Sequence, residues 1–219
     1  NQDDRKVLQD YFDKIFADLN KIDDNIIKSE AYFKFALFKD DEGKTQDALN
    51  FYKKSIDMCK DGSVNLYLSS CYSNISAIYE EQNQTDLAIQ YIQYALNVDS
   101  ENNNLEGIYY CNSQMADLLK REDRTLAKKY YLNAINTAKM LNDDFYVASS
   151  LINYGDFCYD INDNETAVKQ YVNAKRYINK EVAQENIKKI DVRLEDLKIK
   201  MGKNKYLNVV EDFQNNGYQ

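Results

Sequence analysis

Hydrophobic residues along this chain recur three and four positions apart, in runs that end in short polar stretches. That spacing describes one face of an α-helix, whereas a half-buried strand would alternate at every second residue. The opening run places Val7, Leu8, Tyr11, Phe12, Ile15, Phe16 and Leu19 on one stripe, the apolar face of an amphipathic helix. Later runs come in pairs. The first member of each pair reads Tyr32-x2-Phe35-Ala36, Tyr72-x2-Ile75-Ser76-x2-Tyr79, Met115-Ala116 with Leu118-Leu119, and Leu151-x2-Tyr154-Gly155. The second member carries a repeated phrase: Ala48-x3-Tyr52-x2-Ser55, Ala88-x3-Ile92-x2-Ala95, Ala127-x3-Tyr131-x2-Ala134 and Ala167-x3-Tyr171-x2-Ala174.

The leading alanines of that phrase are 40, 39 and 40 residues apart. A small, a large and a second small residue at helical spacing make a face that a neighbouring helix can approach closely. Polar turns join the members of each pair: Asp40-Asp41-Glu42-Gly43-Lys44, Glu81-Gln82-Asn83-Gln84, Arg121-Glu122-Asp123-Arg124 and Ile161-Asn162-Asp163-Asn164. Thr45, Thr85, Thr125 and Thr166 stand where an N-cap or first-turn hydroxyl would satisfy free backbone N–H groups. A fixed period of this length marks stacked helical hairpins, each unable to bury its apolar face alone.

These phrases resemble the tetratricopeptide repeat, in the long-repeat form found in kinesin light chain and in Rap- and PlcR-like peptide receptors. The resemblance implies an all-α, right-handed superhelical solenoid. The expected division is one helical-repeat domain over 1–219. It begins with a half repeat (1–22), followed by four repeats at 24–60, 64–100, 104–140 and 144–180. Capping helices close it over 181–219, where Ile187, Ile190, Leu194, Leu197 and Met201 keep helical spacing and Gly202 marks a stop. The signature Trp and the terminal Pro of the family are absent. With Asn1 rather than Met at its start, the sequence is expected to be a processed or excised segment.

Composition narrows the chemistry. The chain has 36 acidic against 28 basic residues, a net charge of −8, which disfavours nucleic acid and anionic membrane as partners. No apolar run reaches membrane-spanning length, and no Pro interrupts any helix. There is no His, the commonest general base and metal ligand, and no glycine-rich phosphate loop or nucleophile elbow. No catalysis, metal or cofactor is therefore expected. Cys59, Cys71, Cys111 and Cys158 stand far apart, read as buried reduced thiols, and favour a cytoplasmic location.

In the resembled family the first helices line a concave groove. That implies a peptide-binding row of Phe33, Lys34, Leu37, Ser73, Asn74, Ala77, Ser113, Gln114, Asp117, Asn153, Asp156 and Tyr159, with Ile152 beside them. Long-repeat relatives hold ligand backbone with an Asn two residues before the small residue, a place filled here by Lys34, Asn74, Gln114 and Asn153. An amide offers both a donor and an acceptor, so such a ladder suits an extended peptide. The same amides also suit plain polar surface, and both readings stand. The carboxylate clamp of other family members matches only at Asn74. The expected ligand is a polypeptide segment or partner protein with apolar anchors and a basic residue. The function is that of a scaffold or adaptor, or alternatively of a ligand-sensing or regulatory domain in a larger signalling protein, such as a quorum-peptide receptor or sensor kinase.

Overall fold

Runs of helical spacing become helices in the computed structural model, which describes residues 2–19, 21–59, 67–178 and 184–216. They are α1 (Gln2–Leu19), α2 (Asn25–Asp41), α3 (Thr45–Met58), α4 (Leu68–Glu81), α5 (Thr85–Glu101), α6 (Leu105–Leu119), α7 (Arg124–Leu141), α8 (Asp144–Asp160), α9 (Asn164–Tyr177), α10 (Gln184–Met201) and α11 (Lys203–Asn216). Among the described residues there is no strand. The protein is all-α. Second helices start at Thr45, Thr85, Arg124, Asn164 and Lys203, at intervals of 40, 39, 40 and 39 residues. The interval extends past the last recognisable phrase, because α11 keeps the period without the small residues. The boundaries expected at 60, 64, 180 and 181 fall outside the described residues, as does the Leu8 side chain.

The turns show how the period is kept. Gly43, Asn83 and Asn162 have φ of 71°, 58° and 60°, the left-handed conformation that closes a helix. Around Asn162, Asn162 N–H donates to the Tyr159 carbonyl at 3.1 Å and Asp163 N–H to that of Cys158 at 2.8 Å. Asn83 and Gln84 repeat the pair on Glu80 and Tyr79 at 2.9 and 2.8 Å. Asn103 does so between hairpins, with φ of 54°. The α6–α7 connection lacks a left-handed residue among those described and instead bonds Asp123 N–H to the Leu119 carbonyl at 2.8 Å. Asn162→Ala is expected to cost about 1 kcal/mol, because a β-carbon without the amide strains this conformation. Asn162→Gly should be neutral or slightly stabilising. Thermal melts separate the two, since about 1 kcal/mol moves the midpoint by roughly 2–4 °C at this size.

The threonines do not cap. The residues at the cap positions of α3 and α5 are Lys44 and Gln84, neither with a side-chain cap bond. Carboxylates cap elsewhere: Asp24 accepts from Ile26 N–H at 2.8 Å, Asp123 from Leu126 N–H at 2.9 Å, and Asp143 from Phe145 N–H at 2.8 Å. A carboxylate at a helix start also meets the positive end of the helix dipole, an advantage that threonine lacks.

Two units are distinguished, residues 1–107 and 108–219. In the first, Ala36, Ala48, Leu49, Tyr52, Cys71, Ile75 and Ile78 form a buried cluster. Serines lock each hairpin there. Ser55 Oγ donates to the Ser29 carbonyl at 2.8 Å, and Ser29 Oγ lies 3.3 Å from Cys59 Sγ. Forty residues on, Ser69 Oγ donates to Asp99 Oδ2 at 2.5 Å, and Asn104 Nδ2 donates to Asp99 Oδ1 at 2.8 Å. Helix α1 packs through Phe12 and Phe16 on Phe35, with ring centroids 4.7 and 5.5 Å apart. Val7 and Tyr11 remain exposed, because the α1 stripe is wider than the surface that covers it. In the second unit, Ala127, Ala134, Ala167 and Ala174 are buried, as are Leu151, Tyr171, Ile190 and Leu197.

Candidate functional site

The expected binding row falls on first helices α2, α4, α6 and α8, and its members differ in what they do. In the first unit, Phe33 is half-buried and stacks on Tyr67 at 5.1 Å, which ties it to the core. Lys34 is exposed and pairs with Glu30 at 2.6 Å. Leu37 is exposed on the rim of a recess completed by Phe38, Asp40, Asp41 and Glu81. Burial, with Glu81 and Asp41 alongside, raises the Asp40 carboxyl above its ordinary range. Ser73, Asn74 and Ala77 are half-buried on α4.

In the second unit, Ser113 turns its hydroxyl back to the Tyr109 carbonyl at 3.0 Å. Asp117 accepts from the Tyr131 hydroxyl at 2.9 Å and from Lys120 at 3.0 Å. At the equivalent place on α8, Asp156 accepts from the Tyr171 hydroxyl at 2.5 Å and from Lys189 at 3.0 Å. Helix α10 engages Tyr159 as well. Its hydroxyl donates to Asp196 at 2.5 Å, and Arg193 and Lys200 lie over its ring at 4.3 and 4.0 Å from the centroid. Ile152 is buried. Gln114 is half-buried and Asn153 exposed.

The row therefore divides by task. Asp117 and Asp156 hold the hydroxyls of buried tyrosines, whose phenols burial pushes far above their ordinary range. Tyr52 occupies the same place in the first hairpin, but Leu37 stands where the carboxylate would be, and the Tyr52 hydroxyl is buried without a partner. In hairpin two the two corresponding positions hold Ile92 and Ala77, so neither a hydroxyl nor a carboxylate is present there. Asn74, Gln114 and Asn153 have no side-chain hydrogen bond among the described residues, so their donors and acceptors are uncommitted.

Sequence reasoning passed over an aromatic patch at the starts of α6 and α8. Tyr109 and Tyr146 lie 4.7 Å apart, Tyr110 and Tyr146 bring their hydroxyls within 3.3 Å, and Phe145 is exposed beside them. Adjacent aromatics at Tyr109-Tyr110 and Phe145-Tyr146 were the available signal. No group of three or more metal-ligating side chains is gathered among the described residues, and no helix there is long and apolar enough to cross a membrane. All four cysteines are buried and outside any disulfide, and burial pushes the Cys71 and Cys158 thiols up to about 12.

Known proteins share this fold. The tetratricopeptide repeat pattern matches residues 69–102, the second hairpin. The regulatory protein RapK of Bacillus subtilis (strain 168) is 24% identical over 127 residues, 57% of this chain and 33% of RapK. Aspartyl phosphate phosphatase F from Bacillus subtilis superimposes with a TM-score of 0.74 at 15% identity, over 97% of this chain and 57% of its own. NprR in complex with its cognate peptide NprX gives a TM-score of 0.56 at 19% identity, over 95% and 60%. The chain thus spans about a third of the curated relative and under two thirds of these solved chains. It is a tetratricopeptide-like helical-repeat protein that resembles the Rap and NprR proteins.

Proposed function

We propose that this chain is a non-catalytic, peptide- or protein-binding regulatory module that uses the exposed side of its first helices. The observation that carries the reading is the pair of uncommitted amides in the second unit, Gln114 on α6 and Asn153 on α8, with Asn74 at the matching sequence position on α4 of the first unit. Every other polar member of the row except Ser73 already has an intramolecular partner. Backbone groups of an extended peptide present one donor and one acceptor per residue, which a carboxamide answers without reading side chains. The fold is that of NprR, which has been solved with a bound peptide, and this likeness favours a sensing role over a passive scaffold. The acidic recess at Asp40, Asp41 and Glu81 suits a basic side chain, and the Tyr110–Tyr146 patch suits an apolar or cationic one. Buried cysteines outside any disulfide fit action in the cytoplasm.

Asn74→Ala and Asn153→Ala should each weaken binding of a cognate peptide roughly five- to tenfold, the loss expected when one hydrogen bond is left unmade. Asp117→Ala should instead lower the melting temperature, since it strands the Tyr131 hydroxyl. Calorimetric titration beside thermal melts makes the comparison. Unchanged affinity in both asparagine variants would move the site away from the first helices.

A further inference from the structure

Helix α7 stands apart from the other ten. It carries Arg124, Lys128, Lys129 and Lys139 and has no Asp or Glu, in a chain whose net charge is −8. At about 100° per residue, these four positions with Leu132 and Met140 fall within an arc of roughly 160°. All six are exposed, Leu132 at 41% and Met140 at 66%, and Leu132 sits at the centre of the arc. The opposite side of α7 is spent in the core through Ala127, Tyr131, Ala134 and Ala138.

Helix stability does not account for this face. Arg124 occupies the first turn, where the helix dipole disfavours a cation, and Arg124 and Lys128 repel each other at the i,i+4 distance. None of the four cations has a carboxylate within ion-pair reach among the described residues. The repeat itself supplies an internal control. Helix α5, the second helix of the preceding hairpin, has no Lys or Arg, and it places Gln90, Gln93, Ser100 and Glu101 where α7 has Lys129, Leu132, Lys139 and Met140. The same fold is therefore built without these side chains.

We infer that the exposed face of α7 docks an acidic, amphipathic segment of another polypeptide, with carboxylates over the flanking cations and an apolar side chain on Leu132. Complementary charge would set the encounter rate and orientation, and the central apolar contact the dwell time. Four cations along about 27 Å of helix are too sparse to hold a phosphate backbone against an acidic protein. A membrane-surface helix would need its broad apolar half for lipid, and α7 has already buried that half.

The test is fluorescence anisotropy with a labelled helical peptide patterned in Glu and Leu, beside its scrambled isomer. The patterned peptide should bind at micromolar strength and weaken severalfold from about 50 to 200 mM salt. Lys128→Glu/Lys129→Glu should reduce affinity roughly tenfold or more, Lys128→Gln/Lys129→Gln less, and Leu132→Ser roughly threefold. Equal binding of the scrambled isomer, or no loss in the charge-reversed variant, overturns the inference. Preferred binding to phosphatidylserine vesicles or to duplex DNA overturns it too, as does a dimer, seen by light scattering, that these substitutions dissolve. Asn74→Ala/Asn153→Ala should leave this binding unchanged, so this surface and the first-helix face stand or fall separately.

Discussion

Gly107→Ala is expected to destabilise the protein by about 2–4 kcal/mol, although alanine is the better helix former. A β-carbon at this place in the first turn of α6 would overlap the Asp99 carboxylate. That carboxylate is 3% exposed and held from two sides by Ser69 and Asn104, so it has little room to retreat. Displacing it loses two hydrogen bonds to a charged group, each contributing roughly 1.5–3 kcal/mol, against a helix gain of about 1 kcal/mol. The sign should reverse once the obstacle is gone. In an Asp99→Ala background, Gly107→Ala should stabilise by up to about 1 kcal/mol, because only the helix gain remains. Urea midpoints at constant slope read the cycle. Equal costs in both backgrounds would mean that the close approach to Asp99 is not what demands glycine.

The second expected result compares two substitutions of the same kind. Tyr171→Phe should cost about 1–2 kcal/mol, since it removes a hydroxyl that satisfies Asp156 from inside the core. Tyr52→Phe should be neutral or stabilise by up to about 1 kcal/mol, because its hydroxyl is buried with no partner. Leu37→Asp provides the converse. It places a carboxylate where Asp117 and Asp156 stand in later hairpins, and in that background Tyr52→Phe should become costly. If Tyr52→Phe destabilises as much as Tyr171→Phe, the hydroxyl has a partner after all, and the correspondence between hairpins fails.

These residues also show what the sequence makes legible. Helix number, pairing and turn position follow from local spacing, because a 3.6-residue period and a left-handed Asn or Gly are written within one segment. The row on the first helices was named from the family resemblance and not from spacing, and Ile152 beside it is buried. The duties of its polar side chains were not legible. Asp117 reads as groove surface until Tyr131, fourteen residues on, is seen to donate to it. Asp156 and Tyr159 look open until the register of α10 brings Lys189, Arg193 and Lys200 over them. That register depends on packing between helices that no single window of sequence contains. Leu37 and Tyr52 were likewise visible singly, while their mismatch emerges only when hairpins are laid side by side.

The left-handed asparagines have a chemical consequence for how the protein ages. Asparagine deamidates when the backbone nitrogen of the following residue attacks the side-chain carbonyl and closes a succinimide ring. At Asn83, Asn103 and Asn162 that nitrogen belongs to Gln84, Asn104 and Asp163, and each donates to a carbonyl of the preceding helix at 2.8–2.9 Å. Attack requires the nitrogen to leave this bond and the turn to open. These three asparagines are thereby shielded by the closure itself, and they should outlast asparagines in unfolded chain during prolonged storage, with intact-mass and peptide mapping as the readout.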